Sequence, residues 1–353
     1  MRRVVQLLLV VALLAGVLST GSALAGPPED PRSEHQRIVD FWTPNRVQQA
    51  VPRDFVLDEA SGRLLPAAKG GNKPGGGGDK GDKGGGKGGG KGGDSSTVAG
   101  APWDAGGEVL ATTGKVLFEL GGSYYVCSAS VVDDTAASVS IVLTAAHCVY
   151  DNVGGGQFAT NWVFIPAYDD TKPDLTTSGS FCDQTTYGCW TADALVLHDG
   201  FASAGGFNGS AIVHDFAFAV VGAGGKANVL PEDALGSHAI AFSSVSKNTP
   251  LYAFGYPQAA SFNRDLTYCA GGAGFDSRLG KATYQLGCSM TGGASGGPWY
   301  GTFDESAGSG IATSVNSYRY SGGDAMYGPK FNSTTSAVFA AALAATGNTI
   351  VGG

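Results

Sequence analysis

Three residues in the second half of the chain are of the types that perform nucleophilic catalysis. His147 follows the apolar run 140–143, Asp215 precedes the apolar run 216–221, and Ser295 is flanked by two glycines on the carboxyl side and two nearby on the amino side. A serine hydroxyl is a weak nucleophile at neutral pH and needs a general base, for which imidazole is suited. The imidazole in turn needs a carboxylate that fixes its tautomer. Together the three residue types predict a Ser-His-Asp triad.

The glycines around Ser295 suit the same chemistry. Without a Cβ, the backbone N–H groups of residues 292–297 can approach a developing oxyanion closely. Taken singly, each feature also has a purely structural interpretation: a core histidine, an aspartate at a strand start and a flexible loop. Their combination favours catalysis.

Chain order separates two scaffolds for such a triad. Residues 293–297 fit Gly-x-Ser-x-Gly, the nucleophile motif of α/β-hydrolases, but there the histidine follows the serine. All five histidines of this chain precede Ser295, so the α/β-hydrolase scaffold does not fit.

The acid of the triad has three candidates. Asp193 and Asp199 are alternatives, and Asp215 is preferred because an apolar strand follows it directly.

The elements that must position these residues are short strands. From residue 98 onward, runs rich in Val, Ile, Phe and Tyr alternate with clusters of Gly, Asp and Ser, as in a sandwich or barrel. The predicted strands span residues 115–119, 124–132, 138–144, 162–165, 194–198, 216–221, 251–254, 281–288 and 311–315. Only the Ala-rich run 336–346 predicts a helix, with Thr334, Thr335 or Ser336 as its N-cap.

Six cysteines predict disulfides if the chain is exported. Proximity in sequence favours the pairs Cys127–Cys148, Cys182–Cys189 and Cys269–Cys288, the second closing a small hairpin. No Cys-x2-Cys pair occurs, so a zinc site is disfavoured and no metal is expected.

The first 97 residues divide into three parts. Residues 1–25 resemble a signal peptide, with Arg2 and Arg3, an apolar run too short for a stable membrane anchor, and the small-x-small site 23–25. Residues 26–69 are too few for an independent core, so they either dock on something else or are discarded. Residues 70–97 are rich in Gly and Lys and predict a flexible linker.

Charge excludes one class of partner. After residue 97 the chain has 9 basic and 20 acidic side chains. Binding to a phosphate backbone needs clustered Lys and Arg, so no nucleic acid is expected as a partner.

Two motifs give a family resemblance. Thr-Ala-Ala-His-Cys at 144–148 and Gly-x-Ser-Gly-Gly-Pro at 293–298 resemble those of trypsin-like (chymotrypsin-fold) serine peptidases, specifically the secreted actinobacterial type with a propeptide similar to residues 41–46. The resemblance implies two six-stranded β-barrels, a propeptide at 26–69 and a peptidase domain at 98–353. It makes His147 the general base, Asp215 its orienting acid, Ser295 the nucleophile, and the N–H groups of Gly293 and Ser295 the oxyanion hole.

That resemblance predicts a secreted, monomeric zymogen that hydrolyses proteins or peptides without a cofactor. An esterase-like acyl transferase is possible within the same chemistry. The alternative from another class is a secreted binding protein that keeps the fold without catalysis.

Two departures from the family pattern bear on activation and specificity. Ala294 stands where relatives carry an aspartate that pairs with the liberated N-terminus, so loop packing must set the oxyanion hole here. Ser289, with Met290 beside it, stands where enzymes for Lys or Arg substrates carry an acid. The pocket wall is expected to include Thr313, Ser314, Val315 and Asn316, and its neutral character predicts a small or medium uncharged side chain at the cleavage site.

Overall fold

The structure, a computed structural model, describes residues 33–65, 97–136, 138–169, 181–262 and 265–352. The predicted signal peptide and nearly all of the predicted linker lie outside these residues. Within them, no helix has the length and apolar character needed to cross a membrane.

Residues 33–65, called the N-terminal segment below, form two short helices and two short strands: α1 (Glu34–Phe41), α2 (Pro44–Gln49), β1 (Val51–Pro52) and β2 (Phe55–Leu57). The part of the chain up to residue 221 follows with β3 (Val98–Pro102), α3 (Glu108–Thr112), β4 (Thr113–Leu120), β5 (Ser123–Val132), β6 (Ser140–Thr144), β7 (Tyr150–Asp151), β8 (Gln157–Phe158), β9 (Thr160–Pro166), α4 (Phe181–Gln184), β10 (Trp190–His198), α5 (Asp199–Ala202), α6 (Gly209–Val213) and β11 (Ala217–Val221). The remainder comprises α7 (Pro231–Leu235), β12 (Pro250–Gly255), β13 (Thr267–Gly272), β14 (Gly274–Phe275), β15 (Thr283–Gly287), β16 (Pro298–Asp304), β17 (Ser309–Val315), β18 (Tyr318–Tyr320), β19 (Ala325–Pro329), α8 (Ser333–Leu343) and β20 (Thr349–Val351).

Six strands close into the first barrel. Their order is β5, β4, β9, β10, β11 and β6, and β6 returns to pair with β5 through Val131 opposite Val142. Every residue of β6 and β11 is buried. Because closure leaves no unpaired edge, this barrel gives a rigid support to the loop that follows β6.

Two facing five-stranded sheets form the second half. Their orders are β17-β16-β12-β13-β3 and β14-β15-β19-β18-β2. Leu251 and Trp299 from the first sheet share one buried apolar cluster with Leu286 and Met326 from the second. The predicted all-β, chymotrypsin-like double barrel is confirmed.

The C-terminal helix begins earlier than predicted. α8 spans Ser333–Leu343, and Asn332 is its N-cap, accepting the N–H groups of Thr334 and Thr335. In return, Thr335 Oγ1 accepts a hydrogen bond from the Asn332 N–H. The predicted caps Thr334, Thr335 and Ser336 are thus wrong, because the asparagine side chain reaches two N–H groups at once.

All nine predicted strands occur, with boundaries shifted by up to four residues. The expectation of a single helix from residue 98 onward was wrong, since five further helices of four or five residues are present in the described residues after 97. These helices are too short to leave a clear periodic pattern in the sequence.

The N-terminal segment docks on the remainder of the chain. Trp42 is buried, and its Nε1 donates a hydrogen bond of 2.7 Å to the Asn161 carbonyl. β1 pairs with β5 of the first barrel and β2 pairs with β18 of the second half, both in parallel. The segment is therefore docked on both halves of the fold, and its removal on maturation stays a prediction.

Three disulfides join Cys127–Cys148, Cys182–Cys189 and Cys269–Cys288, as proximity predicted. The second bridge does not close a hairpin, because its first cysteine lies in helix α4. The first bridge ties the centre of β5 to the residue after His147.

Candidate active site

His147 lies in a single 3-10 turn, Ala146–Cys148, directly after β6. Its Nδ1 is 2.8 Å from Asp215 Oδ2, and its backbone N–H donates to Asp215 Oδ1 at 2.9 Å. Both side chains are fully buried. Because β6 and β11 are antiparallel neighbours, the end of one strand lies beside the start of the other. The carboxylate therefore fixes both the ring and the backbone of His147.

Of the three acids considered from the sequence, Asp215 is the one that contacts the histidine. Asp199 opens helix α5, and Asp193 lies in β10 near His35 and Gly222. The position of Asp215 ahead of an apolar strand was therefore the informative feature.

Ser317 is a site residue that sequence reasoning missed. Its hydroxyl donates to Asp215 Oδ2 at 2.5 Å, and the serine is 1% exposed. It lies between β17 and β18, 102 positions from the aspartate. Nothing local marks this serine, so only its place directly after the expected pocket wall pointed to it.

The loop that carries Ser295 is fixed from two sides. Ser128 in β5 donates its N–H to the Ser295 carbonyl at 2.7 Å and its hydroxyl to the Gly293 carbonyl at 2.9 Å. Asn316 Nδ2 donates to the Ala294 carbonyl at 2.9 Å. The loop thus bridges the first barrel and the second half.

Gly293 adopts φ +100°, and a Cβ there would lie 2.8 Å from the Tyr256 carbonyl oxygen. Within the described residues, the N–H groups of Gly293 and Ser295 have no hydrogen-bond acceptor, and both residues are buried. Buried N–H groups without an acceptor are rare in proteins. They are the kind of donors that an oxyanion hole requires.

The N-terminal segment lies in this site. The carbonyl oxygen of Arg53 is 3.1 Å from His147 Nε2. The Arg53 side chain donates to the His147 carbonyl at 2.7 Å and pairs with Asp151 at 3.0 Å. A Cβ on Gly292 would meet Pro52 at 2.8 Å and Asp54 at 3.0 Å. Residues 52–54 therefore lie between the histidine and the start of the glycine-rich loop.

The contact with Arg53 also bears on catalysis. A general base must have its proton-accepting nitrogen within reach of the serine hydroxyl. In this structure the Arg53 carbonyl lies at that nitrogen, His147 Nε2.

Aromatic packing holds the segment beyond Arg53. The Phe55 ring stacks on Phe207 with centroids 3.9 Å apart and meets the His147 ring edge-on at 4.9 Å. Phe55 is 7% exposed. The segment therefore covers the histidine with a carbonyl and a phenyl ring.

The residues predicted to bind substrate have internal contacts. The Ser289 hydroxyl donates to the Ala99 carbonyl of β3, and Met290 is buried in the apolar cluster of the second half. The four residues expected in the pocket wall are the last three of β17 and the residue after it. Each is at most 3% exposed: Thr313, Ser314, Val315 and Asn316. β18, directly after them, is the strand that contacts the N-terminal segment.

One group of metal-ligand types occurs at the site, consisting of Cys127, His147 and Cys148. Both sulfurs are joined in a disulfide, so neither is a thiolate ligand.

The chain is similar to several solved structures. Anisep, a protease from Arthrobacter nicotinovorans, is 35% identical and has a TM-score of 0.55, with the alignment covering 71% of this chain and 99% of that one. The thermostable serine protease AL20 from an extremophilic microorganism is 34% identical with a TM-score of 0.55, covering 67% and 99%. A Glu endopeptidase solved with MPD, 16% identical with a TM-score of 0.50, covers 70% and 98% and shows the fold alone. Neither a family profile nor a curated protein matches the chain.

Proposed function

Because the chain belongs to the chymotrypsin-fold serine proteases, we propose that it is a secreted serine endopeptidase made as an inhibited precursor. The observation that carries the proposal is the contact of His147 with Asp215 beside the glycine-rich loop, where the Sγ of Cys148, the residue after His147, lies 3.8 Å from the Ser295 carbonyl oxygen. The N-terminal segment is then the propeptide. We expect the precursor to be inactive, because the segment occupies Nε2 of His147.

The reaction follows from the site once the segment has left. His147 Nε2 takes the proton of Ser295 Oγ as the oxygen attacks the substrate carbonyl carbon. The N–H groups of Gly293 and Ser295 stabilise the oxyanion, and Asp215 stabilises the imidazolium. The imidazolium then gives its proton to the departing amine. Water, activated by the same histidine, hydrolyses the acyl-enzyme and restores Ser295.

Labelling with a fluorophosphonate tests this function. We expect the matured protein to be labelled, the Ser295→Ala variant to remain unlabelled, and the unprocessed precursor to react far more slowly. The matched control is Ser306→Ala, which removes the hydroxyl of an exposed turn serine bonded to Asp304. A folded, matured wild type that is neither labelled nor hydrolytic would favour the alternative of a secreted binding protein without catalysis.

A further inference from the structure

Arg319 contributes a charge to the cleft that the proposed reaction does not use. It lies in β18, and its guanidinium contacts Asp54 of the N-terminal segment, with Nη2 2.8 Å and Nε 3.2 Å from Oδ2. The two side chains are 33% and 16% exposed. In the described part of the chain, no other carboxylate lies within ion-pair distance of Arg319.

The Asp54 carboxylate lies beside the glycine-rich loop. A Cβ built on Gly292 would be 3.1 Å from Asp54 Oδ2, and Gly292 directly precedes the proposed oxyanion donor Gly293. The residue before Asp54 places its carbonyl on His147. The carboxylate is thus held between β18 and the loop that binds the reacting carbonyl.

A substrate side chain must enter the same space. The side chain of the residue whose carbonyl is attacked branches from the carbon bonded to that carbonyl. With the carbonyl at the N–H groups of Gly293 and Ser295, this side chain starts close to Gly292. The position that Asp54 fills in the precursor is therefore open to the substrate after the segment leaves.

Release of the segment removes the carboxylate partner of Arg319. A guanidinium stays protonated at all relevant pH values, and its planar donors match a carboxylate. Successive residues of a strand point to opposite faces, so Tyr318 and Tyr320 share the face of β18 opposite to Arg319. Both tyrosine hydroxyls donate to the buried Asp276. Asp276 is thus hydrogen-bonded by other groups, and Arg319 is left able to bind an acceptor of the substrate.

We propose that Arg319 selects substrates with Asp or Glu as the residue that contributes the scissile carbonyl, and that Asp54 imitates this side chain in the precursor. The inference rests on the proposed peptidase function and specifies its substrate class. It replaces the uncharged preference expected from the neutral segment 313–316, because Arg319 lies beyond that segment.

Paired peptides test the inference. The full-length chain is secreted and allowed to mature, and kcat/KM is measured on peptides that differ only in Glu against Gln, or Asp against Asn, before the cleaved bond. A charge-assisted hydrogen bond contributes about 1.5–3 kcal/mol, so we expect a preference of roughly tenfold to hundredfold for the acid. In Arg319→Gln the ratio should fall to about one, and in Arg319→Glu it should invert.

Arg278→Gln is the matched control, because Arg278 also loses an ion pair when the segment leaves, that with Glu59 at 2.7 Å. It removes the same charge and should keep the acidic preference. A wild type that is labelled at Ser295 and digests denatured protein, yet cleaves Glu and Gln peptides equally, overturns the inference and leaves the proposed function intact. An acidic preference that persists in Arg319→Gln also overturns it. A folded protein that neither labels nor hydrolyses overturns both.

Discussion

Ser317 shows how one hydroxyl positions a carboxylate. Asp215 accepts hydrogen bonds from the ring and backbone of His147 and from Ser317. The Ser317 hydroxyl contacts the carboxylate, so we expect it to act through the orientation of Asp215. Burying a carboxylate is costly unless donors of this kind satisfy it.

We expect Ser317→Ala to lower kcat by about tenfold with little change in KM, since the lost hydrogen bond to a charged group contributes about 1.5–3 kcal/mol. Steady-state kinetics of the matured protein over a range of pH would measure this. An unchanged kcat and an unchanged pH profile would show that Asp215 keeps its position without the serine.

Phe55 is the residue of the N-terminal segment that we expect to contribute most to inhibition. Its ring contacts Phe207 and His147, and burial of an aromatic ring is typical of positions that dominate binding. We expect Phe55→Ala to weaken inhibition by an added 26–69 peptide at least about tenfold.

The control for that change is Val51→Ala in the same peptide, because Val51 is 38% exposed. The measurement is the inhibition constant of the unchanged peptide and of its Phe55→Ala and Val51→Ala variants against the matured protein. Equal losses for both variants would mean that the Phe55 contacts carry no special share of the binding.

The glycine-rich loop depends on a backbone conformation that other residues rarely adopt. Gly296 has φ +82°, and a Cβ there would clash with the Ser128 carbonyl and the Thr144 hydroxyl. Both neighbours belong to the closed barrel and cannot move aside cheaply.

We expect Gly296→Ala to reduce the free energy of unfolding by about 3 kcal/mol or more, since strain and overlap add. Gly287→Ala in β15 is the matched control, because nothing lies within 4 Å of a Cβ there and its φ is not in the left-handed region. Denaturant unfolding of both variants measures the difference. A Gly296→Ala protein as stable as the Gly287→Ala protein would contradict the clash.

The start of the predicted peptidase domain, strand β3, also bears on what positions the glycine-rich loop. β3 pairs with β13, and the Ala99 carbonyl in β3 accepts hydrogen bonds from the N–H and hydroxyl of Ser289. Ala294 is buried, and a Cβ on Gly255 would lie 2.9 Å from its methyl group. These contacts fit the expectation that packing, and not a liberated N-terminus, sets the oxyanion loop.

We therefore expect one extra residue at the mature N-terminus to leave kcat/KM little changed. Comparison of two matured proteins that differ by that residue checks this. A loss of about a hundredfold or more, the size expected for removal of an oxyanion donor, would contradict it.

We expect the attachment of the N-terminal segment to the rest of the protein to depend on pH through His35. Burial lowers the pKa of His35, and the Asp193 carboxylate opposes this effect. Asp183 and Lys226 line the same small cavity. The docked segment therefore binds fewer protons at His35 than the free segment, so docking is strongest above the ordinary histidine pKa of 6.5 and weakens as pH falls below it.

We expect the 26–69 peptide to inhibit more weakly at about pH 5.5 than at about pH 7.5, and the His35→Gln peptide to lose most of this dependence. Inhibition constants across that range, with the activity of the matured protein as reference, provide the measurement. An identical pH dependence for both peptides would exclude His35 as its source.

The sequence by itself determined the fold class, the three disulfides and the two motifs around His147 and Ser295. These features are local, or nearly so: strand patterns repeat over a few residues, and the bridged cysteines are 7 to 21 positions apart. Strands and disulfides that depend on such short-range patterns can be predicted from the sequence alone.

The tertiary structure decided which acid meets the histidine, where the N-terminal segment docks, and what Ser317 and Arg319 contact. Ser317 reaches Asp215 across 102 positions, and Arg319 reaches Asp54 across 265. Neither residue stands out in its own stretch of chain, because its contacts arise only when the closed barrel and the two facing sheets come together.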